Sequence, residues 1–254
     1  MDVELNAIGQ KPTSVRTPRS GSIPISCNGC AVAKHTAYAD LHRASPGQIT
    51  SLRREQKIVP ARQTLFREGE VPPYTCRLYF GWAFGYTMLP DGRRQILSFY
   101  VPGDCLPLHG RPEAPLSFSV RALTDVGLCV FDREAIKAAM LETRSGQLGM
   151  LGAISDGYSQ LERRLVDIGR RSALGRMAKF FVDLEARLSQ RGHNTKAGFD
   201  FPLRQEHLAD ALGLTSVHVN RTLARLRKEG VINIADHRLE ILDTRRLHEL
   251  VADA

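Results

Sequence analysis

The sequence predicts an α+β chain, with an N-terminal antiparallel β-roll, a long dimerisation helix and a C-terminal winged helix-turn-helix. Three observations predict it. Between residues 46 and 132 short β-rich runs alternate with glycine turns, and Gly69, Gly81, Gly92 and Gly103 fall 12, 11 and 11 residues apart. Strands at that spacing, bounded by turn residues, suit an antiparallel roll or barrel. From Leu148 to Ile168 the apolar residues step by three or four, which is the period of a helix. Residues 203–233, LRQEHLADALGLTSVHVNRTLARLRKEGVIN, read as two short helices joined at a glycine and running into a hairpin.

The elements follow in order. Residues 1–24 are polar and rich in Ser, Thr and Pro, and are expected to be a mobile segment. Residues 25–132 form the expected β-roll, with strands in TLFRE, CRLYF, WAFGYTML, RQILSFYV, SFSVRAL and GLCVF. Pro90-Asp91-Gly92 and Pro102-Gly103-Asp104 are turn signals between them. Residues 133–170 are expected to be helical. Leu151, Ile154, Tyr158, Leu161, Leu165 and Ile168 continue a near-heptad seam from Leu148. Glu162, Arg163, Arg164 and Asp167 flank it as coiled-coil edge charges do, which favours pairing with a second copy over packing on the chain's own barrel.

Residues 171–254 form the expected DNA-binding unit. Leu208, Ala209, Ala211 and Leu212 give its first helix an apolar face, and Gly213 supplies the corner. Thr215 is placed to cap the second helix, whose Val219, Leu223 and Leu226 face inward. Ser216, Val217, His218, Asn220, Arg221, Arg225 and Lys228 are left outside. Donors at the front and cations behind suit a helix lying in a DNA major groove. Arg221 is expected to read a base. Arg225, Lys228 and the wing residue Arg238, on a hairpin turning at Asp236-His237, are expected at phosphates.

Composition agrees with this reading. The chain has 254 residues, 43% of them hydrophobic, so it can bury substantial cores. A net charge of +8 and a pI near 9.5 favour a polyanionic partner, here double-stranded DNA. No run of eighteen apolar residues marks a membrane span, and the N-terminus lacks the apolar segment of a secretory signal. Five cysteines, an odd number, without such a signal point to a reducing cytoplasm. No nucleophile elbow, P-loop or dinucleotide fingerprint is present, so no enzyme is expected. A cupin-like metalloenzyme would need clustered histidines on strands, and residues 46–132 hold His109 alone. A β-domain that serves protein interaction, with an incidental helix-turn-helix, is the third reading. Salt-dependent binding to random duplex separates the regulator from both.

Together LFREGE (65–70), PDGRRQILSFYVPGD (90–104), the seam helix, RSALGRMAKFF (171–181) and LADALGLTSVHVNRTLARLRKEGVI (208–232) resemble the Crp/Fnr family, that of the cyclic-AMP receptor protein and the fumarate-nitrate reduction regulator. The resemblance covers nearly everything after residue 25. It implies a homodimeric, sequence-specific transcription regulator with a cyclic-nucleotide-binding-like jelly roll as sensor, an inverted-repeat operator and RNA polymerase as a partner.

Three departures qualify that resemblance. Cyclic-nucleotide-binding relatives carry Gly-Glu and Arg-Ser pairs after the PGD turn. This chain has CLPLHGRPEAPLSFSVRAL there, with Pro107 where glycine is usual, so cyclic AMP is not the expected ligand, although Arg111 or Arg121 remains available to an anion. Relatives that sense oxygen hold an iron–sulfur cluster on three early cysteines and a late one. Cys27, Cys30 and Cys129 match three of these positions, and Thr36 stands at the remaining one, with His35 or Asp40 as substitute ligands. Cluster binding, a thiol switch through Cys27 and Cys30, and a packed loop without cofactor stay open. Cys76 and Cys105 are expected to be core fillers. Finally, many recognition helices place a Glu four residues before the key Arg, and Val217 stands there. An apolar touch to a thymine methyl then replaces a cytosine contact.

Overall fold

A computed structural model of the chain describes residues 46–106 and 114–252, with Cys27, Cys30, Val32 and Ala39. Helix α1 (Pro46–Leu52) leads into strand β1 (Arg53–Val59). The roll continues through β2 (Thr64–Phe66), β3 (Tyr74–Phe80), β4 (Ala83–Met88), β5 (Arg94–Tyr100), β6 (Cys105–Leu106), β7 (Ser119–Ala122) and β8 (Val126–Asp132). Two antiparallel sheets result, ordered β1-β8-β3-β6 and β2-β7-β4-β5. The four evenly spaced glycines all sit at positive φ, between 82° and 99°, the region where a Cβ is costly. Gly81 is also packed tightly, since a Cβ there would meet the Asp125 carbonyl oxygen at 2.0 Å. The inner faces of the two sheets close over Phe66, Leu78, Tyr100, Leu106, Leu116, Phe118, Val120 and Leu128.

The helical stretch read across 133–170 is two helices. Asp132 caps α2 (Arg133–Leu141) by accepting from Ala135 N–H, and α2 packs on β8. Thr143 then caps α3 (Arg144–Arg170) by accepting from Gly146 N–H at 3.0 Å. The chain turns so sharply that a Cβ on Gly146 would lie 2.2 Å from the Met140 carbonyl oxygen. Within the protomer the α3 stripe is left uncovered: Leu148, Leu151, Ile154, Tyr158, Leu161 and Leu165 are all exposed. Two of the expected edge charges serve other ends. Arg164 donates to the carbonyls of Leu97, Ile96 and Ala211, and Asp167 pairs with Arg171 at 2.6 Å.

Ser172 caps α4 (Ala173–Gln190), which buries Met177, Phe181, Leu184 and Leu188. The remaining elements are β9 (Phe199–Asp200), α5 (Gln205–Leu212), α6 (Ser216–Lys228), β10 (Ile232–Ala235), β11 (Arg238–Ile241) and α7 (Thr244–Ala252). A third sheet runs β10-β11-β9. Asp236 and His237, at φ 48° and 57°, make the β10–β11 corner in the left-handed conformation that two-residue hairpins favour. One apolar cluster joins these helices to Trp82, Phe84, Tyr86, Ile96, Phe99 and Val101 on the outer face of the β4–β5 sheet.

Ion pairs fasten the same junction. Arg94 on β5 pairs with Asp210 on α5 at 2.6 Å, and Gln95 donates to the Asp210 carbonyl at 2.7 Å. Asp104, in the turn after β5, is buried between Arg187 and Arg191 of the α4 end and also accepts from Val101 N–H at 2.8 Å. A buried carboxylate needs such partners, because desolvation without them is expensive.

A helix-turn-helix face and a covered cysteine cluster

Helices α5 and α6 meet at a corner dictated by two residues. Gly213 ends α5 at φ 63°, its N–H donating to the Ala209 carbonyl. Thr215 opens α6 with its hydroxyl accepting from His218 N–H at 3.3 Å. Val219, Leu223 and Leu226 are buried, so the register of α6 is set by its core face. Ser216, Val217, His218, Asn220, Arg221, Arg225 and Lys228 are all exposed on the other side, with Thr215 at their head.

The exposed side chains are not equally available. Asn220 and Arg221 have no ion pair or hydrogen bond among the described residues, so their donors point to solvent. Val217 is 66% exposed, a large apolar surface left to solvent. The His218 ring is held by its Nδ1 at 3.1 Å from the Thr215 hydroxyl. Arg225 is tied to Glu229 at 2.6 Å, which holds the Glu229 carboxyl below the usual carboxylate range.

Arg238, expected at a phosphate, donates within the chain to the carbonyls of Ala197 (3.0 Å) and Gly198 (2.9 Å) and faces Asp200 at 3.5 Å. The cause is the short strand β9, which pairs Asp200 with Arg238 where the sequence reads as loop. The wing is thereby stapled to the chain before α5.

The sequence reading missed one part of this surface. Arg246 on α7 joins Arg221, Arg225 and His218 around a hollow of about 420 Å³ that ends on Ser172 and Ala173. The N-terminus of α4, with its partial positive charge, therefore sits beside the cations of α6. The signal for it, Ser172 before an apolar helix and the TRRLHEL run, was visible only as two separate helix features.

The cysteines belong to the β1-β8-β3-β6 sheet or pack on it, all five buried. Register places Cys105, Arg77, Cys129 and Gln56 side by side across β6, β3, β8 and β1. Cys27 packs into the same apolar cluster with Ile49, Phe131 and Ile136, and Cys30 N–H donates to the Cys27 carbonyl at 3.2 Å. The Arg77 guanidinium lies 5.3 Å over the Phe131 ring. Burial pushes the Cys129 thiol up, against the pull of Arg77 and of Gln56, whose amide donates to its sulfur at 3.9 Å. Cys76, inside the roll, is pushed up to about 12 by burial. Among the described residues no three His, Cys, Asp or Glu side chains stand close enough to hold a metal ion. His35, Thr36, Asp40, Pro107, His109 and Arg111 lie outside the described residues.

A β-roll that feeds a winged helix-turn-helix through a bare helix defines a class, that of DNA-binding transcription regulators. Comparison with known proteins agrees with that class. The Crp-like helix-turn-helix domain matches residues 175–250, and the cyclic nucleotide-binding domain matches residues 56–143. The transcriptional activatory protein AadR of Rhodopseudomonas palustris is 32% identical over 88% of this chain and 92% of its own. The nitrogen fixation regulation protein FixK of Bradyrhizobium diazoefficiens is 29% identical over 95% and 99%. The solved structure of FixK2 from Bradyrhizobium japonicum superposes with a TM-score of 0.70, at 24% identity, over 79% of this chain and 98% of that one. The chain belongs to the Crp/Fnr family of transcription regulators. No helix among the described residues is long and apolar enough to cross a membrane.

Proposed function

We propose that this regulator works as a homodimer, paired along α3, that reads an inverted-repeat operator with two copies of α6. The bare α3 stripe carries this reading, because six large apolar side chains from Leu148 to Leu165 face solvent in one protomer. Burying such side chains contributes roughly 1.5–3 kcal/mol each. A two-fold axis along α3 sends two α6 helices into successive major grooves about 34 Å apart. Arg221 reads a guanine edge, Val217 touches a thymine methyl, and Ser216, His218 and Asn220 tune the bases around them. Arg225, Lys228 and Arg246 neutralise phosphates. RNA polymerase is the partner through which the bound dimer acts. Selection from random duplex tests the reading. The expected result is an inverted repeat with half-site centres about one helical turn apart. A single unrepeated motif overturns it.

Cyclic AMP is not the signal in this reading. A cyclic phosphate needs a cation and backbone donors inside the roll, and the described interior is apolar, with Leu116 and Phe118 filling it. Calorimetric titration with cyclic AMP is expected to show no saturable heat, and a micromolar isotherm overturns this part.

A second reading places the signal at the cysteines. It is favoured by the turn that sets Cys30 on Cys27 and by the packing of Cys27 beside Cys129 and Cys105. Among the described residues the thiols do not form a metal ligand set, so no step through an iron–sulfur cluster is derived, and the thiol switch rests on the Cys27–Cys30 turn. A visible absorption band in anaerobically purified protein favours a cluster, and loss of two thiols under mild oxidation favours the switch.

A further inference from the structure

The last four carbonyls of an α-helix have no partner inside it, and a packed helix end must find them elsewhere. The end of α5 finds them on three other elements. Only the Ala209 carbonyl is taken locally, by the N–H groups of Gly213 and of Leu214, the latter at 3.1 Å. The Asp210 carbonyl accepts from the Gln95 amide of β5 at 2.7 Å. The Ala211 carbonyl accepts from the Arg164 guanidinium of α3 at 3.1 Å, with the Gln95 amide also at 3.5 Å. The Leu212 carbonyl accepts from the Arg176 guanidinium of α4 at 3.1 Å. The roll, the long helix and the start of the DNA-binding unit thus meet on consecutive carbonyls, at the negative end of the α5 dipole.

Arg164 is the centre of this joint. Its guanidinium also donates to the Ile96 carbonyl at 3.1 Å and to the Leu97 carbonyl, both on β5. One planar fork therefore ties α3 to the roll and to the end of α5. Burial works against the charge of Arg164 and lowers its pKa, with Asp167 pulling the other way. The three accepting carbonyls offset part of that desolvation. Arg176 has a companion task, since its Nε donates to the Arg171 carbonyl at 2.9 Å, where α3 has just ended. The corner itself is packed against the same elements. A Cβ on Gly213 would lie 3.7 Å from Arg176 Nη1 and 3.8 Å from Ile168 Cγ2.

The corner between α5 and α6 does not need these contacts in order to close, because Gly213 and Thr215 make it locally. Nor do they involve the outer face of α6. Their effect is on direction. Only Gly213, Leu214 and Thr215 separate the two helices, so whatever fixes the end of α5 fixes where α6 points.

We propose that Arg164 is a positioning residue for operator binding. With Gln95 and Arg176 it locks the end of α5 to α3 and to the roll, and so sets the distance and angle between the two α6 copies of a dimer. This rests on the proposed pairing along α3. A locked joint makes the protein read half-site spacing as well as half-site sequence. A rigid pair of helices fits one separation, whereas a loose pair fits several and pays for ordering on each.

The test measures full-length protein on three duplexes: the operator returned by selection, the same operator lengthened at its centre by about two base pairs, and a single half-site. The insertion turns one half-site by about a fifth of a helical turn. Wild type is expected to discriminate strongly against it. Arg164→Gln is expected to shrink that discrimination about tenfold, the loss of a charge-assisted contact, while its single half-site affinity stays within about twofold. Where Arg164→Gln does not fold, Gln95→Ala, which removes the roll's amide from the same helix end, is put to the same measurement with the same expectation. A loss that is equal on all three duplexes shows a merely structural role and overturns the proposal, as does unchanged discrimination. A variant that sediments as a monomer places Arg164 at the seam and also overturns it. Wild type indifferent to the insertion overturns the dimer reading and the joint together, so the two failures are told apart by the wild-type result.

Discussion

Helices α3 and α4 are consecutive, and both carry apolar stripes. Yet α4 seats Met177 and Phe181 at 0% exposure, while α3 leaves Leu151 at 64% and Leu165 at 74%. Both are well capped, by Thr143 and Ser172, so the difference is not one of helix formation. It is one of partners. The α4 stripe meets the β4–β5 sheet, α5, α6 and α7 within the chain, and the α3 stripe from Leu148 to Leu165 is left to solvent. A run of exposed large apolar side chains marks an interface. The two stripes therefore separate what holds a protomer together from what joins two of them.

Two substitutions break that comparison in opposite ways. Leu161→Asp puts a charge into the seam once from each protomer. It is expected to cost about 3–6 kcal/mol of association from lost burial alone, with the desolvated carboxylates adding to this. Sedimentation should show monomers, and the thermal unfolding of each monomer should remain cooperative. A dimer that survives Leu161→Asp rules out α3 as the interface. Phe181→Ala acts on the other stripe. A phenyl ring lost from a closed core costs about 3–5 kcal/mol of folding stability. Here the denaturation midpoint should fall with little change in association per folded chain.

At the DNA surface the same logic is finer. Among the described residues Arg221 has no partner, whereas Arg225 is held by Glu229. Arg221→Ala is expected to cost about 1–3 kcal/mol on the selected operator and to blur one base pair per half-site. An equally sharp motif from the variant would remove Arg221 from base readout and leave the fold assignment intact.

Local rules carried much of this structure into the sequence. The glycines at 69, 81, 92 and 103 announce left-handed corners, and all four have them. Thr215, Gly213 and the 219, 223, 226 stripe set the helix-turn-helix residue by residue. What the sequence hides is long-range. Arg94 and Asp210 are 116 residues apart, and Asp104 lies 83 and 87 residues from its two arginines, so no periodicity links them. The split at 142–143 was hidden for another reason. Both flanks have a helical apolar period, and the corner is betrayed only by the polar gap from Glu142 to Gln147, with Thr143 as cap and the tight approach at Gly146. Arg238 looks like a free wing cation until β9, two residues long, comes alongside. Cys105 is buried in the core as expected, and only register shows that it sits one strand from Arg77.

The smallest expected effect concerns Lys228. It ends α6, where Arg225, Arg227 and Lys228 gather and where cations also suit the negative end of the helix dipole. It is exposed and lies about two turns beyond Arg221 and about three beyond Ser216, so its reach is to the phosphate backbone rather than to a base edge. A phosphate contact adds affinity through counterion release, which every sequence offers equally. Lys228→Ala should then weaken the selected operator and random duplex by about the same factor, and lower the slope of log K against log salt by about one per α6 copy. Arg221→Ala should do the reverse, changing the ratio between the two duplexes more than the slope. Measured side by side at several salt concentrations, the two variants divide α6 into a front that chooses sequence and a rear that supplies affinity. A variant at Lys228 that altered sequence preference without altering the slope would move that division toward the helix end.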